Sequence, residues 1–417
     1  MFLSNNFFLI LLFLNSNLLC ASASSLPRPH PRKTCVVRQH AQDKDDAPAI
    51  LNAFKECGNG GNVVFLNQTY NINSVMNTTG LQDCEIDLHG TLLWGTNITY
   101  WLNNSLPIGY QNQSSAWFFG GERVTFRGHG YGTLDGNGQT WYDFVGGVSN
   151  YPGRPHGITI WNTKDSIFDG IRFVQSQMWT MAIMHSKNVL LSNIYVNSTT
   201  DDHSPARNTD GADTIFSDSI TFDRWIVDNG DDCISLKANS TNILIKDSTF
   251  YRGLGVSIGS IGQYYDQFEY VENVTVTGIT SHNTRYAAYV KTWTGQQVGY
   301  PPNGGGGGVG YASNLTFTDF TMYNTTSTGV FYITQCTTFS GVAGDCNSSL
   351  FNIRNIKFTD IKGYVGTSYI ADMQCSGASP CTNIDIEDIS LTKYVLDGVP
   401  VVEYECQNVE NTMGFSC

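Results

Sequence analysis

The 417-residue chain has little charge: Lys, Arg, Asp and Glu together make up 14% of it, against roughly a quarter in an average soluble domain. That scarcity excludes a coiled coil or a disordered acidic tail. Basic residues are scarcer still, 23 against 36 acidic for a formal net charge of −13, which excludes nucleic-acid binding through a general basic field. Beyond the first residues no stretch approaches 18 consecutive apolar positions, so a mature form would not cross a membrane. The cysteines lack Cys-x-x-Cys or Cys/His spacing, so a zinc site is not expected. What remains is 41% hydrophobic residues and 42 glycines, ample for a core with many turns.

Met1–Ser25 contains an apolar run from Phe7 to Leu14, a second to Cys20 and then Ala21-Ser22-Ala23. This reads as a secretory signal over residues 1–23, leaving 24–417 as one extracellular domain, although no Lys or Arg precedes the run; an uncleaved anchor is the alternative. Ten cysteines remain after cleavage, an even set suited to disulfides. Cys336 with Cys346, Cys375 with Cys381 and Cys406 with Cys417 are the close pairs. Asn-x-Ser/Thr acceptors stand at Asn67, Asn77, Asn97, Asn103, Asn112, Asn197, Asn239, Asn273, Asn314, Asn324 and Asn347. Their density points to a secreted glycoprotein.

A short pattern recurs from about residue 165: Asn188-Val-Leu-Leu-Ser-Asn-Ile194, Ser219-Ile-Thr-Phe-Asp-Arg-Trp225, Asn242-Ile-Leu-Ile-Lys-Asp-Ser248, and again from Asn273, Asn314, Asn355 and Asn383. Each instance reads as an alternating strand, a one-residue polar corner and the start of a second strand. One such unit cannot bury its inward Val, Ile, Leu and Phe alone, whereas stacked units bury a continuous column. Uneven spacing favours the coils of a single-domain, all-β parallel β-helix over fixed propeller blades, with 47–56 as a short N-terminal capping helix. A sandwich of antiparallel hairpins is the competing reading; it predicts two-residue turns at regular spacing.

On stacked coils, acids about one coil apart can meet. Asn208-Thr209-Asp210-Gly211 and Asn229-Gly230-Asp231-Asp232-Cys233 satisfy that condition, with one repeat between them. Asp-Gly and Gly-Asp are common turn chemistry, but clustered acids also push their pKa values apart, giving the protonated and ionised carboxyls that glycoside hydrolysis requires.

With these motifs, the Gly255-Val-Ser-Ile-Gly-Ser260 turn and Lys291 in Tyr289-Val290-Lys291, the chain resembles glycoside hydrolase family 28, the polygalacturonases, from about Leu134 to the C-terminal repeats. The resemblance implies a right-handed parallel β-helix and an inverting hydrolysis of pectic polysaccharide or oligosaccharide by a monomer with no cofactor and no metal. Asp231 would protonate the glycosidic oxygen, and Asp210 and Asp232 would hold and deprotonate the water. Lys291 would pair with a uronate beyond the cleaved bond, and Asn208 would also bind substrate.

Three positions depart from the family pattern: Leu254 stands where a histidine is usual, Tyr289 where an arginine is usual, and Phe250 where a partner of Cys233 often lies. Cys233 then pairs elsewhere or stays free. Ser257–Tyr264 and Leu236–Ser240 resemble exo-acting fungal members, and the stretches 67–115 and 301–310 are candidates to wall off the groove. The leading expectation is an exo-galacturonidase releasing galacturonate from the non-reducing end; an exo-acting rhamnosidase or rhamnogalacturonan hydrolase is the close alternative. A β-helix pectate lyase using Ca²⁺ and an inactive pectin-binding protein are more distant. The net charge repels an anionic polymer, so an acidic optimum and a cleft enriched in Lys and Arg around Lys291 are expected.

Overall fold

The computed structural model describes residues 32–39, 44–200, 204–297, 304–338, 342–394 and 398–417. Residues 1–23, expected to be a secretory signal, lie outside them. Lys33–Cys417 forms one unit, built on a 31-stranded sheet whose strands pair in parallel from coil to coil. The helix is right-handed, the hand that parallel crossovers adopt. One inward column can be followed by register through Ile86, Phe126, Phe168, Leu191, Phe222, Ile245, Val276, Phe317, Phe358 and Ile386, all buried. Antiparallel pairing is confined, among the described residues, to Leu106–Pro107 with Ser114–Ser115 and an isolated bridge, Thr392 with Pro400, which removes the sandwich reading.

The repeat has two corners rather than one. Its first and sixth residues are both left-handed: Asn188 and Asn193, Ser219 and Arg224, Asn242 and Asp247, Asn273 and Gly278, Asn314 and Asp319, Asn355 and Asp360, Asn383 and Asp388. Asn, Asp and Gly tolerate that conformation best, which explains the residue types. The first corners also stack into a ladder. The Asn383 Nδ2 donates to Asn355 Oδ1 at 2.9 Å, Asn355 to Asn314 at 3.1 Å, Asn314 to Asn273 at 3.3 Å and Asn273 to Asn242 at 3.2 Å.

Helix α1 (Ala47–Cys57) buries Ala47, Ile50, Ala53, Phe54 and Cys57. It packs over the first strands, Thr34–Val37 and Asn62–Phe65, and is fastened by the Cys35–Cys57 disulfide. Thr34–Val37 pairs on one side only, so α1 covers the end of the stack as expected. Helices α2 (Ile98–Asn104) and α3 (Gly138–Val145) were not anticipated; both are short and lie in segments between strands, where the period-2 pattern is interrupted. The three close cysteine pairs are all bonded, while Cys233 is free and buried. No helix among the described residues is long and apolar enough to cross a membrane.

Candidate active site

One side of the coils carries the chemistry. Its floor is made by strands Met181–Met184, Asp213–Ile215, Ile234–Leu236, Val256–Ile261, Ala288–Trp293, Gly329–Thr337 and Tyr369–Gln374. Register places Asp213, Ser235, Ser257, Tyr289, Tyr332, Asp372 and Glu405 at one position in successive coils. The segment 255–260, expected as a turn, is therefore mostly floor strand.

The two acid motifs clamp one another just before the floor strands begin. Asn229 Nδ2 donates to the carbonyls of Thr209 at 2.9 Å and Asp232 at 2.8 Å, and Gly211 N–H donates to Asp232 O at 2.9 Å. Thr209 Oγ1 accepts from Gly230 N–H at 3.0 Å. A Cβ on Gly230 would stand 2.2 Å from the Ala206 carbonyl oxygen, so this approach of two coils requires glycine. The clamp brings carboxylate oxygens of Asp210, Asp231 and Asp232 within 4.8 Å of one another, with Asp210 and Asp232 buried and Asp231 partly open.

Each acid has a different environment. Asp231 accepts the backbone N–H groups of Asn208 at 3.1 Å and Asp232 at 3.0 Å. Asp232 accepts from Lys291 Nζ at 2.9 Å on one oxygen and from the Tyr289 hydroxyl on the other, and Lys291 also donates to that hydroxyl. Asp210 keeps an oxygen with no partner. Burial, then the neighbouring Asp213, Asp231 and Asp232, holds the Asp210 carboxyl well above the usual range. Asp231 is raised by burial and then by Asp232. Burial opposes the charge on Lys291, but Asp232, Asp231 and Asp210 outweigh it and raise its pKa. The cluster therefore holds a proton more readily than free carboxylates do, and Asp231 is its member that an incoming oxygen can reach. Three carboxylates could gather a cation, and Lys291 already supplies a positive charge at Asp232.

All the expected residues meet here. Asn208 does so mainly through its backbone; its side-chain oxygen accepts from Asn150 N–H at 2.8 Å and Ser149 Oγ at 3.1 Å, tying the loop after α3 to the cluster. Sequence reading missed four contributors. Tyr289 was noted only as a missing arginine. Asp213 and Lys237 form a buried pair at 3.2 Å, with Lys237 4.8 Å from the Trp179 ring centroid; burial pushes Asp213 up to about 7. Arg154 is buried with both terminal nitrogens unpartnered. The signal available for Asp213 and Lys237 was polar residues inside otherwise apolar floor strands. Of the Lys and Arg expected around Lys291, Lys237 and Arg154 are buried beside the acids, while the floor beyond Lys291 continues to Tyr332, Asp372 and Glu405.

Leu254, in the family histidine position, donates its N–H to the Asp231 carbonyl at 2.9 Å. A Cβ on Gly253 would stand 2.7 Å from Cys233 Sγ, so the free thiol fills the space under that turn. Both suspected wall segments converge on one place. Gln111 N–H donates to the Tyr264 hydroxyl at 2.9 Å and Gln111 Nε2 to Gln263 Oε1 at 2.6 Å. Gly305 and Gly306 N–H groups each donate to the Gln263 carbonyl at 2.9 Å. Ile108 and Tyr110 pack with Trp179, Met184, Ile215 and Ala238, covering the floor on the N-terminal side of the acids.

The family model for glycosyl hydrolases family 28 matches residues 69–417. The chain belongs to this family. It is 54% identical over 389 residues to alpha-L-rhamnosidase rgxB of Aspergillus niger, covering 93% of this chain and 90% of that one. It is 34% identical to the exopolygalacturonase of Cochliobolus carbonum, covering 88% and 83%. Among solved structures it superposes on the endo-xylogalacturonan hydrolase of Aspergillus tubingensis with a TM-score of 0.77 and 27% identity, over 92% of this chain and 98% of that one. The chain is therefore a glycoside hydrolase of pectin, and its nearest features are those of the exo-acting fungal group.

Proposed function

We propose that the protein is an exo-acting α-L-rhamnosidase that removes a terminal rhamnose linked to galacturonate. The observation that carries this is the phenol of Tyr289 on Asp232, beside Lys291. A neutral hydroxyl stands where relatives that bind uronates on both sides of the bond would be served by a second cation. Lys291, 21% exposed, is left as one cation for one carboxylate, and the acidic floor at Asp372 and Glu405 disfavours a run of uronates. The rhamnosidase at 54% identity supports the same choice, and the plug of Ile108 and Tyr110 supports attack at a chain end. The exo-galacturonidase expected from sequence is the second reading, favoured by the exopolygalacturonase at 34%.

In this reading Asp231, raised in pKa and open to the cleft, protonates the leaving oxygen. Asp232 has both oxygens held by Tyr289 and Lys291, which makes it a poor nucleophile and a fixed acceptor for a water proton; Asp210 orients that water. Inverting enzymes commonly separate their carboxyls by about 6.5–9.5 Å, more than the spacing here, so inversion rests on the locked Asp232 rather than on separation. Asn208 acts by holding Asp231. Residues 1–23 direct the enzyme out of the cell, and it works as a monomer. Chromatography of early products from rhamnose-capped and all-galacturonate oligomers tests the reading: free rhamnose from the first and none from the second is expected, whereas free galacturonate from the second overturns it.

A further inference from the structure

A pocket of about 370 Å³ lies beside the plug, outside the acid cluster, and Tyr110, Asn112, Phe216, Tyr264, Gln267 and Glu269 contribute to its lining. Its chemistry is that of a neutral sugar site. Tyr110 meets Phe216 and Tyr264 edge-on, at 6.0 and 6.1 Å between centroids, giving aromatic walls. Tyr110 buries a hydroxyl with no hydrogen-bond partner. Glu269 is buried, one oxygen accepting from Gly262 N–H at 2.8 Å, and no Lys or Arg lines the pocket. A carboxylate without a cation accepts hydroxyl or acetamido donors and repels a uronate, so pectic galacturonate does not fit.

A covalently attached occupant is at hand. Asn112-Gln113-Ser114 is a glycosylation acceptor, and Asn112 is exposed, left-handed at φ 52° and on the pocket's rim. Five other acceptors have their Nδ2 groups committed: Asn103 to Thr99 O, Asn197 to the Tyr195 hydroxyl, Asn273 and Asn314 to the ladder and Asn324 to Asn283. We propose that Asn112 carries an N-linked glycan whose first N-acetylglucosamine rests in this pocket, bracing the Gln111 wall against the Tyr264–Glu269 segment. In the transfer, Asn112 Nδ2 bonds to C1 of the sugar of a lipid-linked oligosaccharide pyrophosphate. The C1–O bond to phosphate breaks, the lipid pyrophosphate leaves and Nδ2 loses one proton.

The inference rests on passage through the secretory route but not on which sugar the enzyme releases. Glycopeptide mass spectrometry of the protein secreted from a fungal host, followed by endoglycosidase treatment of the native protein, tests it. Asn112 should be occupied in most chains, and its glycan released about tenfold more slowly than those at other occupied acceptors, because the seated core must first open locally. Phe216→Ala should speed release at Asn112 alone. An empty Asn112, or release in the wild type as fast as in Phe216→Ala, overturns the proposal.

Discussion

A corner of the coils and the floor strands of the cleft differ in almost every respect. On the corner side the residues repeat; on the floor side no such repetition holds. On the one side, Asn242, Asn273, Asn314, Asn355 and Asn383 repeat the same residue, the same left-handed backbone and the same hydrogen bond. On the other, Asp213, Ser235, Ser257, Tyr289, Tyr332, Asp372 and Glu405 occupy one register position, and no residue type runs through it. Near it, Asp210 keeps an unpartnered oxygen and Lys237 is a buried cation. Repetition marks where a solenoid is held together, and its loss marks where burial of charge is tolerated for chemistry.

The contrast is most exposed to failure at Asp231. Asp231→Asn should lower kcat on a rhamnose-capped oligomer by about 10²–10⁴-fold with little change in the unfolding midpoint; undiminished turnover would remove it from the mechanism. Tyr289→Phe should come next. It deletes one hydrogen bond to a charged carboxylate, worth about 1.5–3 kcal/mol, so kcat should fall roughly 10–100-fold with KM nearly constant. A rise in KM alone would make Tyr289 a binding residue instead.

Asp213 links the cleft to stability. Its folded pKa of about 7 lies above its unfolded value, so the folded state binds the extra proton between them. The stabilisation is complete below about pH 4 and is lost as pH rises towards 7. Denaturant melts across that window should show wild-type stability falling, whereas Asp213→Asn, which has no such proton to lose, should flatten the fall, Lys237 keeping Ser235 Oγ and the Gly259 carbonyl as acceptors. The smallest effect is expected at the repeating corner. Asn314→Ala should cost about 1 kcal/mol in unfolding free energy and leave kcat unchanged; an altered kcat would show that the corner and the floor are not separable.

This division also explains what was legible in the sequence. The alternating Val, Ile, Leu and Phe of the repeats revealed the solenoid, and the Asn-Thr-Asp and Gly-Asp-Asp motifs revealed the acids, because both depend on residues close together in the chain. The corner read from the sequence was the sixth residue of each repeat; the left-handed first residue, as at Asn242 and Asn314, was missed because it reads equally well as the start of the strand. Tyr289, Asp213 and Lys237 gain their meaning only when coils stack, since their partners lie 57, 24 and 24 residues away. The contact of Gln111 with Gln263, 152 residues apart, is longer in range still, and no local pattern encodes it.

Proton NMR during hydrolysis of a rhamnose-capped galacturonate oligomer tests the central claim most directly, since it reports both the released sugar and its anomeric configuration before mutarotation. The expected spectrum shows free rhamnose alone at early times, in the configuration opposite to that of the bond cleaved. Early galacturonate, internal fragments or a retained anomer would contradict the account.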